Sequence, residues 1–246
     1  MRAFPLRDDL RTNALDAGER FAALEEAGAS TPAGHEELTR GVLAWAAGTF
    51  GEKLIVASNM QDAVLVELGA AARPGVDVLF LETGYHFAET LGTRDAVAHT
   101  YGVRVVDARP DHSVADQDRL EGKDLFATDP GRCCELRKVV PLQRTLAGYD
   151  AWVTGVRRVE APTRAHTPLI TWDERHQLVK VNPLAHWTDE QMDAYITDHR
   201  VLVNPLVAAG YPSIGCAPCT QKPAPGADPR SGRWAGFSKT ECGLHG

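Results

Sequence analysis

Five cysteines, in an uneven arrangement, are the residues of this sequence best suited to chemistry. Cys133 and Cys134 are adjacent, Cys216 and Cys219 form a C-x-x-C pair within IGCAPCT, and Cys242 stands alone near the end. Two doublets supply four thiolates, the number that an iron–sulfur or a tetrahedral zinc centre takes. The C-x-x-C spacing lets one turn aim both sulfurs at one centre. Neighbouring side chains normally diverge, so Cys133–Cys134 suits a wide centre with separate metal corners. On spacing alone, structural zinc and incidental buried cysteines remain competing readings. Arg137 and Lys138 follow within CCELRK. A lysine there would stabilise an anionic centre; a solvated surface lysine is the plainer alternative.

Cys242 lies within ECGLHG, beside Glu241 and close to His245. A thiolate is the nucleophilic form of cysteine, and nearby positive charge promotes it. Chain ends are mobile unless held. A thiol on one can reach a substrate, then swing away and present an adduct to a second protein. The competing reading is a dispensable end.

The whole chain constrains what such a site can serve. It has 246 residues and a net charge of −7, so its bulk field repels nucleic acid. An anionic substrate would need a local cluster of Arg and Lys. No apolar run of about 18 residues exists, which excludes a membrane helix. The N-terminal stretch has early acids and no apolar signal core, so the expected location is cytoplasmic. In that reducing compartment the cysteines are expected as metal ligands or catalytic thiols rather than a disulfide framework. Association into a homo-oligomer is left open.

The elements that must position these residues read as an α/β fold. Residues 14–28 and 35–48 read as amphipathic helices, with Leu15, Phe21, Leu24, Leu38, Val42 and Trp45 as apolar-face candidates. Strands are expected at 53–58, 76–82, 103–108 and 150–155, with helices at 62–71 and 86–102 between them. That alternation implies a Rossmann-like, mostly parallel sheet with helices on both faces. Ligands then bind at the carboxyl ends of the strands, in the loops after Ser58, Glu82 and Gly155. From about residue 202 prolines and glycines accumulate, which reads as loop. The expected organisation is a helical extension over 1–50, a nucleotide-binding α/β unit over 51–201 and a loop-rich segment over 202–246, all in a single domain.

Taken together, CC-E-L-R-K, C-A-P-C and E-C-G-L-H resemble the iron–sulfur assimilatory adenylyl-sulfate (APS) reductases of the sulfonucleotide reductase family. The resemblance runs from about residue 53 to the end and implies an adenine nucleotide alpha hydrolase-like fold. It implies that Cys133, Cys134, Cys216 and Cys219 hold one 4Fe-4S cluster, with Lys138 between cluster and substrate. It places the nucleotide at Ser58, Asn59 and Asp62 of S-N-M-Q-D, a loop that lacks the family's usual glycine. Leu81 and Gly84 of LETG would lie near the adenosine, with Glu82 where the family usually has Asp. Arg157 and Arg164 of TGVRRVEAPTR are the implied substrate contacts of that loop, ahead of Arg158. Arg230 and Arg233 of DPRSGRW and His245 complete the anion-binding set. Guanidinium groups suit phosphate and sulfate oxygens.

The implied reaction is reduction of adenosine 5′-phosphosulfate to sulfite and AMP, with Cys242 as the nucleophile, an S-sulfocysteine intermediate and thioredoxin as reductant, in sulfate assimilation and cysteine biosynthesis. Three alternatives stay open at this point. One is a 3′-phospho-APS reductase. Another is an ATP-dependent adenylyl-type enzyme, disfavoured by the S-N-M-Q-D loop. The last is a non-catalytic iron–sulfur or zinc redox sensor.

Overall fold

A computed structural model of the chain describes residues 7–28, 32–234, 236–237, 239 and 243–244. Two helices come first, α1 (Arg7–Gly28) and α2 (Pro32–Phe50). Then β1 (Leu54–Ala57), α3 (Val64–Ala72), β2 (Asp77–Leu81), α4 (Ala88–Tyr101) and β3 (Arg104–Ala108) alternate as expected. After β3 come α5 (Val114–Glu121), α6 (Leu125–Thr128), α7 (Pro130–Cys134) and α8 (Val140–Leu146). Beyond them lie β4 (Ala151–Val153), β5 (Ile170–Asp173), β6 (Leu178–Val181), α9 (Asp189–His199) and α10 (Pro205–Ala208). Among the described residues no helix is long and apolar enough to cross a membrane.

The six strands form one sheet in the order β3-β2-β1-β4-β6-β5. Every neighbouring pair is parallel except β5 and β6, which pair antiparallel at one edge. The expected mostly parallel α/β architecture is therefore observed. The hairpin of β5 and β6 was not foreseen, because I-T-W-D and L-V-K-V are too short to stand out from a long polar stretch. The central strand β1 reads L-I-V-A because both of its faces are covered. Leu54 and Val56 join one core with Val78, Phe80, Val153 and Val181. Ile55 faces the other way, into a smaller cluster with Leu79, Trp152, Leu178 and, from α8, Leu142 and Leu146. The strand order reverses at β1 and β4. In open sheets of this kind the ligand crevice lies at that point.

The two N-terminal helices contribute to the larger core through Leu10, Ala14, Ala17, Phe21, Leu38, Val42, Leu43 and Ala46. Trp45 packs against it. The apolar-face expectation for α1 needs correction at two positions, since Leu15 and Leu24 are each about half exposed, at 51% and 52%. The buried stripe of α1 is Leu10, Ala14, Ala17 and Phe21, with small residues in its middle. There the helix comes close to the sheet edge, for a Cβ added at Gly18 would lie 2.8 Å from the Ile170 carbonyl oxygen. At that point of approach the helix has no room for a large side chain. Gly18→Ala should therefore destabilise the fold by about 1–3 kcal/mol, whereas Leu15→Ala and Leu24→Ala should stay within about 0.5 kcal/mol of the parent. Urea midpoints of the three variants check this.

Candidate active site

The loop after β1 is a compact turn made by its own side chains. Ser58 Oγ accepts from the Met60 N–H at 3.1 Å, and Asn59 Oδ1 accepts from the Gln61 N–H at 3.1 Å. Asp62 Oδ1 accepts from Val64 N–H at 3.1 Å and opens α3. Met60 carries the left-handed conformation, φ +60°, that a glycine would usually supply. Its side chain is fully buried in the main core, which anchors the turn despite the strain. The C-terminal segment locks this loop. Asn204, fully buried, donates from Nδ2 to the Met60 carbonyl at 3.1 Å and to Thr90 Oγ1 at 3.2 Å, and its Oδ1 caps α10 by accepting from Leu206.

Gln61 joins this nucleotide-type loop to the cysteine region. Its Nε2 donates to the Pro212 carbonyl and its Oε1 accepts from the Ile214 N–H, each at 3.1 Å. The same stretch holds Arg233, which donates from Nη1 to Ser213 Oγ at 3.2 Å and to the Ile214 carbonyl at 3.1 Å. A Cβ on Gly215 would lie 2.1 Å from the Arg233 guanidinium, so the glycine leaves room for that side chain. Neither Gln61 nor Asn204 was singled out from the sequence. The only signal was Asn before Pro, the pattern of a helix N-cap with Pro at N1.

Cys133, Cys134, Cys216 and Cys219 line one small cavity, together with Tyr85, Phe126, Pro130, Arg137, Lys138 and Trp234. The helix bearing the first doublet is opened by a π turn over Glu135–Val139, between α7 and α8. Lys138 lies within this π turn and lines the cavity. Lys138 is buried with its positive charge close enough to Cys219 to lower that thiol's pKa. Arg137 is also buried, but as a clamp. It donates from Nε to the Thr83 carbonyl and from Nη1 to Gln117 Oε1 at 2.9 Å. The loop after β2 closes the cavity. Thr83 Oγ1 lies 3.3 Å from Cys216 Sγ, and Ala217 N–H donates to the Tyr85 carbonyl at 2.7 Å. Gly84 has φ +75°, and a Cβ there would press on Arg137 and Val114 at 3.0 and 3.1 Å. Leu81 ends β2, partly buried against the smaller core cluster.

Burial, reinforced by the other three thiols, pushes Cys133 up to about 12. Burial and Cys216 push Cys219 up to about 11, with Lys138 and Arg233 pulling the other way. Four thiols that perturb one another inside a buried, cation-edged cavity are a donor set for a soft metal centre. Among the described residues no three His, Cys, Asp or Glu side chains converge as ligands of a single ion. A cluster sets a different requirement, because its irons occupy separate corners.

The loop after β4 divides its arginines. Arg157 pairs with Glu160 at 3.7 Å and Asp189 at 2.7 Å, and Arg164 pairs with the same Glu160. Arg158 turns away to Glu25 of α1 and to the Thr167 carbonyl. Burial raises the pKa of Asp62, and the Val64 N–H and Arg157 oppose that rise, which places Arg157 beside the β1 loop. Arg230 sits in a turn closed by Asp228 Oδ1. Cys242 and His245 lie outside the described residues. Gly243, between them in sequence, accepts from Arg175 Nη1 at 2.6 Å, and Leu244 packs against the smaller core cluster.

A family model described as the phosphoadenosine phosphosulfate reductase domain matches residues 53–222. The chain is 66% identical to the adenosine 5′-phosphosulfate reductase of Mycolicibacterium smegmatis, over 90% of this chain and 93% of that one. The chain belongs to the adenosine 5′-phosphosulfate reductase branch of the sulfonucleotide reductase family. Among solved structures, the phosphoadenylyl-sulfate (PAPS) reductase of Candida auris in its phosphate complex aligns with a TM-score of 0.64 and 28% identity, over 74% of this chain and 90% of that chain. The FMN adenylyltransferase of Candida glabrata shares the fold at 13% identity, with a TM-score of 0.53 over 84% of this chain and 74% of that one. The solved structures share the fold of this chain.

Two outcomes follow from this geometry. Asn204→Ala should cost about 2–3 kcal/mol, because buried groups on three sides lose their partner, and should weaken nucleotide binding; urea unfolding and titration with AMP measure both. In metal-free protein the raised thiols stay protonated near neutral pH. The Cys133 and Cys219 thiolates should therefore form only at strongly alkaline pH, and loading with iron and sulfide should become more favourable as pH rises, since ligation must expel those protons.

Proposed function

We propose that this protein reduces adenosine 5′-phosphosulfate to sulfite and AMP, with Cys242 as nucleophile and a thioredoxin-type dithiol protein as reductant. The observation that carries the reading is the gathering of both cysteine doublets and Lys138 in one cavity, tied through Gln61 to the nucleotide-type loop. The relatives' substrate supports APS over its 3′-phosphorylated form.

The cavity fits a 4Fe-4S cluster held by Cys133, Cys134, Cys216 and Cys219. Its donors are soft, largely buried and mutually repelling as thiolates; Lys138 lines the cavity with them, and the charge of Arg233 acts on Cys219. When bound, such a cluster supplies a fixed local charge beside the substrate. Ser58, Asn59 and Asp62 hold the nucleotide at the β1 loop, with Leu81 and Gly84 alongside the adenosine. Arg157, Arg164, Arg230, Arg233 and His245 face the phosphosulfate in this reading.

Sulfate resists nucleophiles because its charge is spread over its oxygens. The arginines and Lys138 offset that charge for the approaching thiolate. The Cys242 sulfur bonds to the sulfur of the substrate, the bond to the bridging oxygen breaks, and AMP leaves with the electron pair. One thiol of the dithiol protein then attacks Cys242 Sγ and sulfite departs. The second thiol closes a disulfide on the reductant and returns Cys242 as a thiol, so the two electrons come from the dithiol.

The deciding experiment is sulfite release by anaerobically purified protein supplied with APS, thioredoxin and a reductant. Cys242→Ser should abolish release yet keep the brown chromophore and APS affinity. Turnover by that variant would remove Cys242 from the role, and turnover with 3′-phospho-APS in preference would reassign the substrate.

A further inference from the structure

Tyr85 brings a hydroxyl to the cysteine cavity that the reaction above does not use. Its backbone is held on both sides, because its N–H donates to Thr83 Oγ1 at 3.3 Å and its carbonyl accepts from Ala217 at 2.7 Å. The ring packs edge-on against Phe126, centroids 5.4 Å apart at 73°, and the Arg137 guanidinium lies over it at 5.2 Å. These contacts fix where the phenol points. Its oxygen is buried and has no hydrogen-bond partner among the described residues, although the ring lines the cavity with the four thiols. A phenol hydroxyl is a donor near neutral pH. A buried donor with no acceptor is rarely tolerated, and such a group calls for an explanation.

We infer that the Tyr85 hydroxyl donates a hydrogen bond to sulfur of the centre bound in this cavity, and that it is a positioning and tuning residue for that centre. The inference rests on the cluster reading above. Sulfur ligands of iron accept hydrogen bonds, and donors to them withdraw electron density and favour the reduced state. Thr83 stands in a similar relation to Cys216 through its own hydroxyl. The loop after β2 would thus present two hydroxyls to the cavity, from residues two apart.

Tyr85→Phe removes the oxygen and keeps the ring against Phe126 and Arg137. In anaerobically purified protein it should retain the iron and acid-labile sulfide content of the parent, and its unfolding temperature should be unchanged. Its chromophore should bleach several-fold faster on exposure to air, and its iron–cysteine stretching bands in resonance Raman spectra should shift. Bleaching and Raman bands identical to the parent would overturn the inference. Parent protein that binds zinc, or that lacks iron and sulfide, would overturn the cluster reading itself and this role with it. Those two failures are told apart by metal analysis of the parent alone.

Discussion

Four thiols lining one cavity, three of them buried, set the terms for everything around them. As neutral thiols they are merely weakly polar, but as thiolates they lose solvation and repel one another. Burial first and the neighbouring thiols second raise Cys133 and Cys219 to about 12 and 11. Only positive charge can relieve it, whether a metal centre or nearby cations. The fold supplies the second kind itself, with Lys138 carried inward by a π turn and Arg233 admitted by a glycine at position 215. Both features weaken local regularity, one of a helix and the other of a loop, and each gains its value only from the charge it delivers.

The cavity also depends on chain segments that are remote in sequence. The first doublet rides on a helix between β3 and β4, and the second sits in a turn beyond the last helix of the sheet. Loop 82–87 lies between them, with Thr83 on Cys216 and Arg137 on Thr83. Gln61 then fastens the C-terminal segment to the β1 loop through Pro212 and Ile214. A shift of the nucleotide-type loop would therefore be felt at Arg233 and at the second doublet. The coupling is direct, since one amide side chain makes both bonds.

The acidic average of the chain conceals this local arrangement. A net charge of −7 would oppose an anionic substrate at long range. Several cations of the site are paired: Glu160 holds Arg157 and Arg164, and Asp189 also meets Arg157. Such pairs keep guanidinium groups oriented while nothing is bound. Arg158 is spent on Glu25 and braces α1 against the β4 loop, which separates the scaffold arginine of that loop from its two neighbours.

The cysteine doublets, the parallel α/β alternation and the loops after β1, β2 and β4 were legible in the sequence, because residue type and short spacing express local chemistry and periodicity. The hairpin of β5 and β6 was not, for its strands are too short to carry a pattern. Leu15 and Leu24 misled for a related reason: the inner face of α1 is set by its nearness to Ile170, and nothing in the helix's own periodicity reports that distance. Asn204, Gln61 and the hydroxyl of Tyr85 acquire meaning only from partners far along the chain. Sequence alone could name the four sulfurs that line one cavity. Where those sulfurs meet, and which amides and cations surround them, was decided by tertiary packing, because long-range contacts depend on strand order and on approach distances that no local pattern encodes.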